Sequence, residues 1–375
     1  MNILLAADIF PPQTGGPATY VVALANALRE KGERVKIVTL NPDADVRVTQ
    51  STYRVAHGNK VSRYAQYVYL LWKHSADADG IYAMGPVNAG LPAFIVSRIR
   101  QTKFVVKVVG DYAWEQGVQR YNVDQGIDAF QVSSHPSLVV KALRFIQSLV
   151  VKNAHLVIVP SQYLQTLVRG WGAERVEAIY NAVAIPNEKH DGEKRERPDD
   201  IWLVTVARLV PWKGMIVLID VMHRLKNDFP ALQLKIIGDG PTRKDIESHV
   251  SRLALDETVH LLGVCSRNET LSHMRQADAF ILNSGYEGLS HAILEAMMLG
   301  TFVLASNSSG NPELIRAAGT GTLFVYNDRD DLEKAIRTFL IDRPNGRPPE
   351  DFFETFSFDT MMNNTQQALR QICNS

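Results

Sequence analysis

The chain is poor in cysteine and has no net charge. Its only thiols, Cys265 and Cys373, are far apart among the 375 residues and suggest neither a disulfide framework nor a metal-ligand spacing. That scarcity suits a reducing compartment, so the expected location is cytoplasmic. The 40 basic and 40 acidic side chains cancel, leaving no global field to draw the chain onto nucleic acid. The N-terminus opens into Asn2-Ile3-Leu4-Leu5 with an acid already at Asp8, unlike an export signal with its basic start and small-residue cleavage site. The longest suspicious uncharged run, 80–97, is broken by Pro86, Asn88, Gly90 and Pro92 and makes a poor bilayer-spanning helix. There is no G-x-G-x-x-G to argue for a dinucleotide. What is present, 46% hydrophobic and 21% charged residues over this length, describes a globular chain of two ordinary domains.

The apolar runs order these domains. Residues 2–10 read as a buried parallel strand, 11–17 as a Pro/Gly-rich loop, 18–31 as a helix closed by Gly32, and 34–40 as a second strand. This is a βαβ unit, the building block of an open parallel sheet covered by helices. Further strands fit 80–83, 104–109, 156–159 and 176–180. Ten of the thirteen residues from Glu188 to Asp200 are charged, which suits a solvated connector. The pattern restarts with strands near 201–207, 232–238, 258–262, 278–282, 302–305 and 321–325. The expected division is 1–187 for the first domain, 188–200 for the linker and 201–350 for the second, each an α/β, Rossmann-like layer structure. A last helix, about 358–373, has no destination that the sequence reveals.

Two segments of the second domain carry chemistry. In Leu203-Val204-Thr205-Val206-Ala207-Arg208-Leu209-Val210-Pro211-Trp212-Lys213-Gly214 a buried strand ends and two cations follow, five residues apart. Ligands of open α/β sheets collect beyond the carboxyl ends of strands, and fixed positive charge there suits a diphosphate leaving group. A solvated loop with two surface charges is the other reading. In the second segment, 284–300, Ser290 is a natural N-cap and Gly300 a natural end for a mostly apolar helix. Its N-terminus follows a Gly-rich loop and can receive an anion such as phosphate. Glu295, among apolar neighbours, needs a polar partner. A ribose would serve, and so would a buried Arg or backbone amides. Glu287, in the loop, can reach a sugar or simply face solvent.

Glu287 and Glu295, separated by seven residues, with Arg208 and Lys213 upstream, resemble the signature of the retaining glycosyltransferases of family four, which have the GT-B fold. The likeness continues in a Pro-Pro-x-x-Gly-Gly loop at 11–16, in Tyr180-Asn181-Ala182-Val183, in Gly238-Asp239-Gly240-Pro241 and in Gly310-Asn311-Pro312-Glu313. It implies two Rossmann-like domains facing across a central cleft. A nucleotide-sugar donor, UDP- or GDP-linked, is held mainly by the second, an acceptor mainly by the first, and the last helix crosses back. Carried over by position, Arg208 and Lys213 contact the diphosphate, Glu287 the donor sugar and Glu295 the ribose. Gly288, Leu289 and Ser290 supply backbone amides, Val264 lies where the base is held, and Gly15, Gly16 and Asn181 join the donor site. Gly310 to Glu313 reads equally as a loop and helix start, and Gly238 to Pro241 as a turn. The family implies transfer to a glycan, glycolipid or small-molecule hydroxyl with retention of anomeric configuration.

In the first domain Asp111 stands just beyond a strand end, where it can orient or deprotonate the acceptor hydroxyl or cap a helix. Many family members are similar but have His-Asp where this chain has Gly110-Asp111. Trp114 fits stacking on an acceptor or packing. Two stretches, 61–73 with Tyr64, Tyr67, Tyr69 and Trp72, and 141–152, fit either core packing or a peripheral contact with a membrane surface. An Asp-x-Asp that holds a divalent cation would mark a metal-dependent transferase of another fold. Three occur, Asp43-Ala44-Asp45, Asp77-Ala78-Asp79 and Asp328-Arg329-Asp330, none in the Glu287 helix segment. The expectation is therefore no metal and no cofactor. An isomerase of the same fold acting on sugar nucleotides, or a non-catalytic sugar-nucleotide binder, are the alternatives. The first would convert donor without an acceptor, and the second would tolerate loss of Glu287.

Overall fold

A computed structural model describes residues 1–13, 16–43, 51–134, 136–183 and 200–374. Gly15, Asp45 and the expected linker apart from Asp200 lie outside the described residues. The chain divides into two compact units, Met1–Tyr180 with Asp359–Ser375, and Asn181–Phe358.

The first unit is built on a seven-stranded sheet of β1 (Asn2–Ala7), β2 (Arg34–Thr39), β3 (Thr52–Arg54), β4 (Gly80–Met84), β5 (Lys103–Lys107), β6 (Leu156–Val159) and β7 (Val176–Ala178). Its order is β3-β2-β1-β4-β5-β6-β7, with every pairing parallel. Leu4, Leu5, Ala6 and Ala7 are fully buried, because helices cover both faces of a parallel sheet and each strand becomes an apolar run rather than an alternation. β1 stops at Ala7, before the acid at Asp8 and earlier than the apolar run suggests. Edge strand β3 has no counterpart among the expected strands: Thr-Tyr-Arg offers no apolar run, and its pairing with β2 alone makes it a strand.

The second unit repeats the design with β8 (Ile201–Val206), β9 (Leu232–Ile237), β10 (Val259–Gly263), β11 (Ala279–Leu282), β12 (Phe302–Ser306) and β13 (Thr322–Phe324), ordered β10-β9-β8-β11-β12-β13 and parallel throughout. In each sheet the winding reverses at the first strand. β1 lies between β2 and β4, and β8 between β9 and β11. Loops leaving the two strands at such a point diverge and open a crevice at the carboxyl ends, where ligands of this architecture bind.

The helix Phe358–Cys373 belongs to the first unit. Met361, Met362, Thr365, Ala368, Leu369 and Ile372 form its buried stripe at helical spacing. Cys373 fits against the start of β4, where a Cβ at Gly80 would come within 2.7 Å of its sulfur. Burial pushes the Cys373 thiol up to about 11, which makes it a poor nucleophile at neutral pH.

One carboxylate ties this helix down. Glu33, almost fully buried, accepts from Gln366 Nε2 at 2.9 Å and Arg370 Nε at 2.7 Å, and its other oxygen meets the Met1 ammonium at 2.5 Å. Burial by itself would raise its pKa, but the bonds from Met1, Arg370 and Gln366 outweigh that and hold it below the ordinary glutamate value. Removing one member of such a buried set strands the others. Glu33→Ala should therefore lower the unfolding free energy by about 3–5 kcal/mol in urea titration, and a loss under about 0.5 kcal/mol would remove Glu33 as the anchor. Because the folded pKa lies below the unfolded one, the contribution is present above the unfolded value and is lost as the pH falls through the folded value. Wild type should lose stability on acidification below about pH 4.3 more steeply than Glu33→Gln.

Candidate active site

β8 ends in the backbone that carries both predicted cations. After Arg208, the residues Pro211–Lys213 form one tight helical turn, and Gly214 follows at φ 55°, the left-handed region that favours glycine. A Cβ there would also come within 2.6 Å of Asn283 O and Asn327 Oδ1, so the turn admits no side chain. The helix Met215–Leu225 starts at once and buries its apolar face in the core of the second unit. Two further glycines prop the Arg208 loop from beneath. Gly238, at φ 129°, and Gly240 lie against the backbone of Ala207 and Leu209 with no room for a Cβ, and Leu209 N donates to Asp239 O at 2.9 Å. The segment 238–241, expected to be a plain turn, is thus a support for the site.

The loop leaving β11, on the other side of the winding reversal, brings Glu287 to Lys213. Lys213 Nζ donates to Glu287 Oε1, with the two side chains 13% and 15% exposed. The loop is braced on every side. Gly285 N donates to Trp212 O at 2.8 Å, which joins it directly to the Lys213 turn. Asn283 Nδ2 donates to Gly214 O at 2.9 Å, and its Oδ1 accepts from Asn327 N at 3.0 Å. Ser306 Oγ donates to Ser284 O at 2.5 Å, accepts from Ser284 N at 3.0 Å, and is held by Asn311 Nδ2 at 3.2 Å. Gly310 N donates to Glu287 O at 3.0 Å. A Cβ on Gly310 would meet Gly288 O at 2.5 Å. The segment 310–313 is therefore the start of the helix Asn311–Ala318 and also the backing of the Glu287 loop.

Ser290 caps the helix His291–Met298, accepting from Ile293 N at 3.3 Å. The other end closes at Gly300 with φ 78°. Gly288, Leu289 and Ser290 lead directly into this N-terminus, where the helix dipole favours an anion. Asn181 sits beside it, its Nδ2 3.0 Å from His291 Nε2, and its Oδ1 is buried without a bond. Arg208, in the same loop as Lys213, is exposed, and among the described residues its guanidinium makes no ion pair.

Glu295 Oε1 pairs with Arg267 Nη1 at 2.8 Å. Burial lifts the Glu295 carboxyl above its ordinary value, and the Arg267 charge pulls part of that back. An arginine is thus the partner found, and the ion pair is made through one carboxylate oxygen. Arg267 opens the helix Arg267–Gln276, three residues after Val264 at the carboxyl end of β10. The ion pair therefore fastens the Val264 loop to the Glu295 helix, and Val264 itself is 80% exposed. Nothing in the sequence around Arg267 signals this role, since its partner comes from a distant helix.

In the first unit, Gly16 opens the helix Gly16–Glu30 at the carboxyl end of β1. Asp111, expected to address an acceptor, is only 1% exposed. It caps the helix Tyr112–Arg120 through Trp114 N at 3.0 Å and accepts from Gln131 Nε2 at 2.9 Å and Gln147 Nε2 at 3.0 Å. This is the capping role that the sequence left open, and the buried carboxylate is met by three donors. Trp114 packs, its Nε1 donating to Gln125 O at 2.9 Å. The Asp-x-Asp carboxylates have local work as well. Asp77 pairs with Lys36, Asp79 accepts from Asn2 N, and Asp328 caps the helix Arg329–Asp342. Among the described residues no three His, Cys, Asp or Glu side chains converge as metal ligands do. No helix among them is long and apolar enough to cross a membrane.

Comparison with known proteins agrees with this geometry. Residues 15–182 match the family model described as glycosyl transferase 4-like domain, and 186–352 match glycosyl transferases group 1. The gpi3 subunit of the phosphatidylinositol N-acetylglucosaminyltransferase of Schizosaccharomyces pombe is 23% identical over 98% of this chain and 80% of its own. WcaL of Escherichia coli (strain K12) is 31% identical over 143 residues, 36% of this chain, and the chain spans only 35% of that relative. The crystal structure of Anabaena Alr3699/HepE in complex with UDP shares the fold, with a TM-score of 0.78 and 21% identity over 99% of this chain and 100% of that one. On the two domain matches and this fold, the chain belongs to glycosyltransferase family four, with the GT-B architecture.

Proposed function

We propose that the chain moves a sugar from a nucleotide diphosphate, UDP- or GDP-linked, onto an acceptor hydroxyl, without a metal and with retention of anomeric configuration. The observation that carries this reading is the Lys213–Glu287 contact, formed where the loops of β8 and β11 meet beside a helix N-terminus. A diphosphate placed there receives Lys213, Arg208 and the amides of Gly288 to Ser290. As the bond from the anomeric carbon to phosphate breaks, these donors meet the growing charge on the departing oxygen. The acceptor oxygen attacks from the same face, and its proton passes to that phosphate oxygen. Glu287 is positioned for the sugar hydroxyls, Glu295 for the ribose through its oxygen not paired with Arg267, and the exposed Val264 loop for the base. That HepE was crystallised with UDP supports such a ligand.

The acceptor is a glycan, a glycolipid or a small molecule. A peripheral contact with an acidic lipid surface fits the helix Leu138–Lys152, which exposes Leu138, Val139 and Phe145 beside Lys141 and Lys152. Sedimentation with phosphatidylglycerol vesicles but not phosphatidylcholine vesicles is the expected outcome, and equal recovery with both would dismiss the contact.

With UDP- or GDP-sugars, activity should persist in EDTA and product NMR should show the anomeric configuration of the donor retained. Lys213→Met should cost about 10²–10³-fold in kcat. Inversion, or a variant with wild-type kcat, would overturn the proposal. For the ribose contact, wild type should prefer the ribonucleotide to its 2′,3′-dideoxy analogue by about tenfold in calorimetry, and Glu295→Gln should lose most of that preference. Equal discrimination by both proteins would place the ribose elsewhere.

A further inference from the structure

With Asp111 occupied as a cap, the first unit still has a carboxylate at the reversal point of its sheet. Asp8 directly follows β1. Its oxygens are held by neutral donors: Ile9 N at 3.0 Å on Oδ1 and Asn88 Nδ2 at 3.1 Å on Oδ2. Tyr64 OH in turn donates to Asn88 Oδ1 at 3.0 Å. Tyr112, the first residue of the helix after β5, lies close enough to Tyr64 to interact with it electrostatically. Loops from the carboxyl ends of β1, β4 and β5 and the helix Lys60–His74 therefore contribute to one cluster.

The chemistry of the cluster is specific. A carboxylate has about four acceptor positions, and Asp8 is met by Asn88 and by the backbone N–H groups of Asp8 and Ile9, so it keeps room for another donor. Among the described residues no cation pairs with Asp8. Arg63, beside Tyr64, directs its Nη2 to Leu40 O at 2.6 Å. Asp8 is nonetheless only partly exposed, and burial raises its pKa. A carboxylate kept in such surroundings without a counter-ion is a cost to folding that a structural role does not explain. A carboxylate, a carboxamide and phenols suit neutral hydroxyls rather than phosphate.

We propose that Asp8, Asn88 and Tyr64 form a subsite of the first unit for a neutral, hydroxyl-rich ring, with Asp8 accepting a hydrogen bond from the acceptor's hydroxyl. The proposal rests on the transferase reading and names the acceptor class for it. Asp8 binds the ring by a hydrogen bond and takes no proton from it.

The test uses the full chain as wild type, Asp8→Asn and Tyr64→Phe. The probes are glucose, mannose, N-acetylglucosamine and myo-inositol, titrated by ligand-observed NMR, with UDP and GDP followed separately by thermal shift. At least one probe should bind wild type, with its Kd raised about tenfold or more in Asp8→Asn and by less in Tyr64→Phe. The nucleotide shift should be the same in all three proteins. Asparagine can still accept from Ile9 N, so the variant should fold, and an unchanged nucleotide shift verifies that it has. Equal probe binding by wild type and Asp8→Asn, or no probe binding to wild type, overturns the subsite. Absence of any nucleotide shift in wild type, with probe binding still dependent on Asp8, instead overturns the transferase reading and leaves the subsite standing.

Discussion

Lys213 and Glu287 neutralise each other where the loops of β8 and β11 meet, and most of the second unit serves to hold those two loops together. Both charges are largely buried, so each would be expensive without the other. The pairing also holds the ammonium in one place. An anionic group entering at the neighbouring helix N-terminus would compete with Glu287 for the same ammonium.

What keeps the loops from drifting apart is a layer of neutral polar groups rather than further ion pairs. Asn283 joins Gly214 to Asn327, Ser306 joins Ser284 to Asn311, and Gly285 is bonded to Trp212. Such a network specifies one arrangement of the backbone, because any other leaves buried donors and acceptors unpaired. The glycines are its counterpart in shape. Gly214, Gly238, Gly240 and Gly310 stand where one backbone approaches another too closely for a side chain. Arg267 extends the same principle outward by joining the exposed loop after β10 to the helix that carries Glu295.

The first unit distributes its charges differently. Its most heavily bonded carboxylates, Glu33 and Asp111, are structural. One anchors the last helix of the chain, and the other caps the helix after β5. Asp8 has fewer bonds and more exposure, and it occupies the place in the sheet where ligands gather. Position at a strand end thus goes with different numbers of protein donors, three on Asp111 and fewer side-chain partners on Asp8.

Sequence alone determined the layer order, because parallel strands covered on both faces must be apolar runs and loops beyond them must be polar or glycine-rich. It missed β3, whose Thr52–Arg54 has no such signature, and it left the helix Phe358–Cys373 without a destination. It also located the Lys213 and Glu287 segments, since a helix cap, a glycine-rich loop and a run of strand residues are local signals. Partners were another matter. That Asp111 is satisfied by Gln131 and Gln147, Glu295 by Arg267, and Glu33 by Arg370 was decided only by tertiary structure, because a buried charge takes its partner from whatever the fold brings within hydrogen-bond distance, and that distance has no counterpart along the chain.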